Sequence, residues 1–138
     1  MRARFLVAAC LVTAATLTGT IGDGRAAAAP ARQQSVAYLT EPTLIGSTFV
    51  QGPVLFVHDT VTMARGEPCT KVYLYDPAGH RETEEIASFH CIPRDASVVT
   101  RFTVTTRPST LAYGCVLTSY QFPRDPEVHG VPQPADAH

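Results

Sequence analysis

The chain lacks the short motifs by which many enzymes and metal proteins are recognised. It has no C-x-x-C, no H-x-H and no H-E-x-x-H, which excludes a zinc knuckle and a zincin helix. It also has no C-x-x-C-H for covalent haem and no G-x-S-x-G elbow of a hydrolase. The sequence therefore predicts no cofactor and favours a non-enzymatic protein.

Basic side chains are also scarce. From Ala29 onward, eight Lys and Arg residues stand against eleven Asp and Glu residues, which leaves a net charge of −3. No basic cluster is present to neutralise phosphate groups, so we expect no nucleic acid as a partner. Electrostatic attraction to an anionic membrane surface is disfavoured for the same reason.

What the chain does have is an informative N-terminus. Arg2 and Arg4 precede an uncharged apolar run over residues 5–15, and small residues in an A-x-A pattern follow at 25–31. This order is typical of a secretory signal peptide. We therefore predict that residues 1–29 are a signal peptide and that the mature protein is secreted or periplasmic.

Other roles for this segment fit less well. A lipoprotein cut before Cys10 would leave too short an apolar core, and residues 5–22 contain four Thr, which weakens an uncleaved anchor. There is no Arg-Arg pair for the twin-arginine route. No later stretch approaches membrane length, so no stable span is expected after cleavage.

The remaining chain reads as strands separated by turns. About 110 residues are enough for one domain with a core of its own. β-Branched and aromatic residues recur at even spacing, with Gly- and Pro-containing turns between them. This pattern predicts a single all-β domain over residues 30–122, an antiparallel β-sandwich or barrel-like fold, followed by an extended or disordered tail at 123–138. The predicted strands cover residues 36–39, 44–50, 53–63, 70–76, 84–92, 98–106 and 111–122.

Three cysteines follow the predicted signal peptide, an odd number for a secreted protein. The turn at residues 76–79 predicts a hairpin in which residue numbers summing to 160 lie opposite each other. That register places Cys69 opposite Cys91, Lys71 opposite Phe89 and Tyr73 opposite Ala87. In an oxidising compartment it predicts a disulfide between Cys69 and Cys91, with Cys115 left as a free, buried thiol.

The histidines give a second set of candidates. His58, Met63, His90 and His129, with the cysteines, include the ligand types that soft metals select. Their spacing matches no metal motif, and no His-Met pair closely follows Cys115 as a blue-copper loop would require. We expect His58 and His90 to be half-buried structural residues and His129 to lie in an unpacked tail, so a copper-type metal site is an alternative only.

An aromatic face is the remaining candidate. Lys71, Tyr73, Tyr75 and Phe89 would line one side of the predicted hairpin, and exposed aromatics often mark recognition surfaces. The leading interpretation is a non-enzymatic binding or interaction module for an unknown protein or small-molecule ligand. The alternatives are a soft-metal-binding protein and a small secreted enzyme, in which a Cys nucleophile would need a His brought near by the fold.

Overall fold

A computed structural model describes residues 29–110 and 113–133, and most of these residues lie in β-strands. The predicted signal peptide is therefore outside the described residues except for Ala29. The elements are β1 (Arg32–Ile45), β2 (Thr48–Asp59), α1 (Thr60–Ala64), β3 (Thr70–Asp76), β4 (Arg81–Phe89), β5 (Ile92–Asp95), β6 (Thr103–Pro108), β7 (Cys115–Gln121) and β8 (Glu127–Gly130).

The strands form one eight-stranded sheet in the order β4-β3-β2-β1-β7-β8-β5, and β6 also pairs with β7. The predicted all-β class is confirmed. The sheet does not close, so the barrel-like form of the prediction is wrong. The sheet is also mixed rather than wholly antiparallel, because β1 runs parallel to β7, with Thr43 opposite Cys115.

A single glycine permits the contact between β1 and β7. Gly114, just before β7, has a φ of +108°, and a Cβ placed there would overlap the carbonyl oxygen of Pro42 in β1. Only a residue without a side chain combines this backbone conformation with so close an approach. Gly114 thus lets β7 enter the sheet beside β1.

The predicted hairpin is present, but its register differs from the prediction. β3 has the predicted bounds and pairs antiparallel with β4. Lys71 lies opposite Ser88 rather than Phe89, and Tyr73 lies opposite Glu85 rather than Ala87, with shifts on both sides of Tyr73. The pair nearest the turn, Asp76 with Arg81, already differs from the predicted register, and the shifts around Tyr73 act as β-bulges that change it again along the strands.

Several other boundaries differ from the sequence-based expectation, and three of them bear on the site. The end of the strand predicted at 53–63 is the short helix α1, because the Asp59 side chain accepts a hydrogen bond from the Val61 backbone N–H and caps it. The strand predicted at 98–106 begins only at Thr103. The predicted tail contains β8, which pairs with both β5 and β7, so residues 127–130 belong to the sheet.

The core lies between β2 and the β7–β8 part of the sheet. Val54, Phe56 and His58 alternate along β2 and share one face. Phe56 packs on Tyr120 of β7 with ring centroids 5.2 Å apart, although the two strands are not neighbours in the sheet. His58 therefore continues the inward face of β2 beyond Phe56, at the polar end of an aromatic core.

Candidate metal centre

Two buried histidines meet at this end of the core. His58 of β2 and His129 of β8 are 5% and 1% exposed, and their ring centroids are 4.3 Å apart. His129 also stacks on Tyr120, its partner in the β7–β8 ladder, with the rings 15° from parallel. The expectation that His129 lies in an unpacked tail is wrong, because β8 carries its ring into the core.

Cys91 completes the group. It lies just after β4, is half-buried, and its Sγ is 3.5 Å from His58 Nε2 and 3.5 Å from His129 Nδ1. The candidate ligand atoms of these three residues all lie within 4.8 Å of one another. We refer to His58, Cys91 and His129 as the His–Cys–His cluster.

A carboxylate fixes the orientation of His129. Asp125 Oδ2 is 3.2 Å from His129 Nε2, and the two side chains are 2% and 1% exposed. Asp125 Oδ1 accepts a hydrogen bond from the Glu127 N–H at 2.9 Å, which holds the carboxylate in place. Because a carboxylate only accepts, His129 carries its proton on Nε2 and directs the Nδ1 lone pair at Cys91.

Burial keeps two members of the cluster uncharged. It lowers the pKa of His58 to about 4, assisted by the nearby His129, so this imidazole is neutral at neutral pH. Burial and the neighbouring Cys69 raise the pKa of the Cys91 thiol to about 12. His58 also has a buried Nδ1 without a hydrogen-bond partner among the described residues. The cluster thus offers a neutral imidazole and a protonated thiol.

Cys69 lies directly beside the cluster. It is 1% exposed, its Sγ donates to Cys91 Sγ at 3.1 Å, and the Cys91 backbone N–H donates back to Cys69 Sγ at 3.1 Å. Both cysteines are thiols in this structure. A disulfide requires the sulfurs to be about 2.05 Å apart, so the pair is close but not bonded. The Cys69–Cys91 bridge stays a prediction.

The other metal candidates lie elsewhere. Met63 is 45% exposed on α1, and His90 is exposed although it precedes Cys91, because neighbours in an extended chain point in opposite directions. The expectation that His90 is half-buried is therefore wrong. Cys115 is a half-buried free thiol that donates to Glu41 Oε2 at 3.2 Å, rather than a fully buried one.

The predicted aromatic face does not form as a set of four. Lys71, Tyr73 and Tyr75 alternate on β3 and are half-buried, whereas Phe89 lies opposite the buried Thr70 and packs against the core. Lys71 and Tyr73 line a cavity of about 130 Å³, smaller than the roughly 300–1,000 Å³ of typical small-molecule sites. A binding role for the three remaining residues stays a prediction.

The spacing of the His–Cys–His cluster fits a metal ion. A metal bound at about 2.3 Å to sulfur and about 2.05 Å to nitrogen separates those ligands by about 3.6 Å at tetrahedral angles and about 3.8 Å at trigonal angles. The two observed Sγ–N distances are both 3.5 Å. An ion would need these two sulfur–nitrogen distances to open by only a few tenths of an ångström, and the two imidazole nitrogens lie within 4.8 Å of each other.

Sequence reasoning named each cluster residue separately but missed Asp125. The sequence pattern that could have indicated Asp125 is the D-x-E-x-H spacing of residues 125–129, because alternate residues of an extended segment can share a face. That signal becomes visible only when this segment is placed in the sheet. Asp125 supplies the outer hydrogen bond that most metal-binding histidines have.

Comparison of the chain with protein-family models, with curated proteins and with solved structures found no match in any of the three. Among residues 29–110 and 113–133, no helix is long and apolar enough to cross a membrane.

Proposed function

We propose that this protein is an extracytoplasmic, non-enzymatic metal-binding module that holds one soft transition-metal ion, with Cu(I) as the first candidate. The ligands are His58 Nε2, His129 Nδ1 and Cys91 Sγ. The observation that carries the proposal is the convergence of one sulfur and two imidazole nitrogens at metal-ligand spacing. A thiolate with two imidazoles is a donor set typical of copper sites, and zinc is the closest competitor.

The residues around the His–Cys–His cluster support metal binding rather than a purely structural role for the cluster. His129 is backed by the Asp125 carboxylate, as metal-bound histidines usually are. His58 is neutral at neutral pH, so no proton competes for its lone pair. The thiol of Cys91 would lose its proton to solvent when the ion binds, because a coordinated thiol is deprotonated. Cys91 is half-buried, which gives an ion a route in from solvent.

Metal titration of the reduced protein tests this proposal. Cu(I) and Zn(II) should each compete with a chromophoric chelator for one site per chain. Cys91→Ser, His58→Gln and His129→Gln should each weaken binding by at least about 100-fold, since each removes a ligand rather than an outer-shell group. Binding that is unchanged in all three variants would contradict the ligand assignment.

His90→Gln is the matched control. His90 adjoins Cys91 in sequence but is exposed, so its replacement changes the histidine content without touching the cluster. It should bind the metal as the wild type does. A loss of affinity as large as that of His58→Gln would mean that metal is held by surface histidines instead.

Export is part of the same proposal and has its own test. The basic start, the apolar run and the Ala-rich end of residues 1–31 support it. Protein recovered from its native host should begin between Ala29 and Arg32 on N-terminal sequencing. A product that begins at Met1 in the cytosol would contradict export and leave the metal site to be judged separately.

A thiol enzyme is the second candidate, because Cys91, His129 and Asp125 form a sulfur–imidazole–carboxylate chain. The raised pKa of Cys91 and the adjacent Cys69 argue against it, since a nucleophilic cysteine needs a lowered thiol pKa. Alkylation of Cys91 in the reduced, metal-free protein should be slower at neutral pH than that of a free cysteine. Faster alkylation, abolished in His129→Gln, would favour the enzyme instead.

A further inference from the structure

Cys91 belongs to two arrangements that cannot exist together. Its sulfur faces His58 and His129 on one side and lies 3.1 Å from Cys69 Sγ on another. A sulfur in a disulfide carries no negative charge and no exchangeable proton, so it is not the thiolate ligand that a metal requires. Cys91 Sγ can therefore either bind the metal or form the disulfide with Cys69, but not both at once.

The two sulfurs lie close enough to form a disulfide after a small movement. A bridge needs Cys69 Sγ and Cys91 Sγ to approach from 3.1 Å to about 2.05 Å, a movement of about 1 Å. Cys69 precedes the start of β3 and Cys91 follows the end of β4, where Thr70 and Phe89 are paired. A movement of about 1 Å at these strand ends would bring the sulfurs to bonding distance.

We propose that the Cys69–Cys91 pair is a redox gate on the metal site: the dithiol form binds the ion and the disulfide form does not. This inference rests on the proposed metal-binding function and adds its regulation. Cys69 is the resolving cysteine rather than a ligand. Cys115 takes no part, because its sulfur is hydrogen-bonded to Glu41 beside the β1–β7 contact.

The oxidant is a low-molecular-weight disulfide, such as oxidised glutathione. The raised pKa of the Cys91 thiol makes its thiolate a minor species, so the first step is slow. That thiolate, on the more exposed cysteine of the pair, attacks one sulfur of the small disulfide, forms a mixed disulfide and releases one small thiol. The thiolate of Cys69 then attacks Cys91 Sγ and releases the second small thiol. The protein loses two electrons and two protons, and the small disulfide gains both.

Bound metal should protect the pair in return. The affinity of the ion for the dithiol form stabilises that form, so by linkage the metal lowers the tendency of the cysteines to oxidise. The loss of the thiolate on oxidation should weaken metal binding by at least about 100-fold, more than the 10–100-fold typical of outer-shell changes. Reduction should restore it.

Zn(II) is the clean probe for this gate, because it does not itself oxidise or reduce thiols. The protein is compared in three forms: reduced, oxidised with glutathione disulfide, and reduced again with a phosphine. Cu(I) is then added under anaerobic conditions to the same three forms. Peptide mapping without reduction identifies the linkage, and the intact mass should fall by two hydrogens.

Two variants separate the gate from the site. Cys69→Ser keeps the three ligands but cannot form the bridge, so its metal affinity should be the same before and after oxidant treatment. Cys115→Ser is the matched control and should lose metal on oxidation as the wild type does. If Cys69→Ser does not fold, the mapped and reversible loss of metal in the wild type still decides the matter.

The outcomes distinguish the two proposals. Tight metal binding by wild-type protein in which the Cys69–Cys91 linkage has been mapped would overturn the gate and leave the metal site intact. Linkage of Cys115 to either partner, or no disulfide after oxidation, would also overturn the gate. Failure of reduced wild type and reduced Cys69→Ser to bind either metal would overturn the metal function itself, and the gate with it.

Discussion

Replacement of Asp125 by Asn is the most informative single change in the outer shell of the site. Asp125 accepts two hydrogen bonds, from Glu127 N–H through Oδ1 and from His129 Nε2–H through Oδ2. Asn has the same shape but one oxygen and one NH₂ group, so it can satisfy only one of these two donors. In either orientation of the amide, one of these two donors can no longer be satisfied as it is in the wild type.

The orientation that keeps the Glu127 contact reverses the tautomer of His129. The amide NH₂ then faces Nε2, which must accept, and the ring proton moves to Nδ1 on the side of Cys91. A protonated Nδ1 cannot bind a metal. Outer-shell substitutions typically weaken metal binding 10–100-fold, which is about 1.4–2.7 kcal/mol. Because the pair is almost fully buried, we expect Asp125→Asn to lie in the upper part of this range.

The assay is chelator competition with Zn(II) and Cu(I) on reduced protein, with urea unfolding to verify that each variant is folded. Asp95→Asn is the matched control, since Asp95 is an exposed carboxylate on β5, directly opposite Glu127 in the β5–β8 ladder. It should bind within about twofold of the wild type. A folded Asp125→Asn variant that also stays within that limit would contradict an orienting role of Asp125 on His129.

The remaining predictions concern the scaffold. Gly114→Ala should lower the free energy of unfolding by about 2–4 kcal/mol, because it adds strain at positive φ and an overlap with β1. Gly52→Ala, at φ +97° with nothing within 4 Å, should lower it only by the backbone strain, about 1–3 kcal/mol. Equal losses in the two variants would contradict the overlap at Gly114. Tyr120→Phe should cost about 1–3 kcal/mol in the same urea assay, because it leaves the buried hydroxyl of Thr70 without its phenolic partner. Tyr113→Phe, at an 87% exposed position, should cost under about 0.5 kcal/mol, and a similar loss in both would count against the buried contact.

The sequence predicted local elements well where their pattern was regular. β3 has the bounds that alternation predicted, and the turn at residues 76–79 correctly joined it to β4. The bulges around Tyr73 could not be predicted, because they depend on side-chain packing rather than on turn chemistry. The register set at the turn, with Asp76 opposite Arg81, also differs from the predicted one, and Phe89 lies opposite the buried Thr70 on the core side.

The site was predicted only in its parts. His58, Cys91 and His129 were named as candidates from their chemistry, but their convergence depends on packing between strands that are far apart in sequence. The four prolines after residue 122 suggested a tail, since Pro disfavours long strands. β8 has only four residues and lies between Pro126 and Pro132. The Pro-rich composition of this segment therefore did not predict the strand that carries His129.

X-ray absorption at the metal edge tests the central claim most directly. Reduced protein loaded with one equivalent of Cu(I), and separately with Zn(II), should show one sulfur at about 2.3 Å and two imidazole nitrogens at about 2.0 Å. Cys69→Ser should give the same spectrum, because Cys69 is not a ligand, and Cys91→Ser should lose the sulfur. A shell with two sulfurs, or with nitrogen and oxygen alone in the wild type, would contradict the His58–Cys91–His129 site.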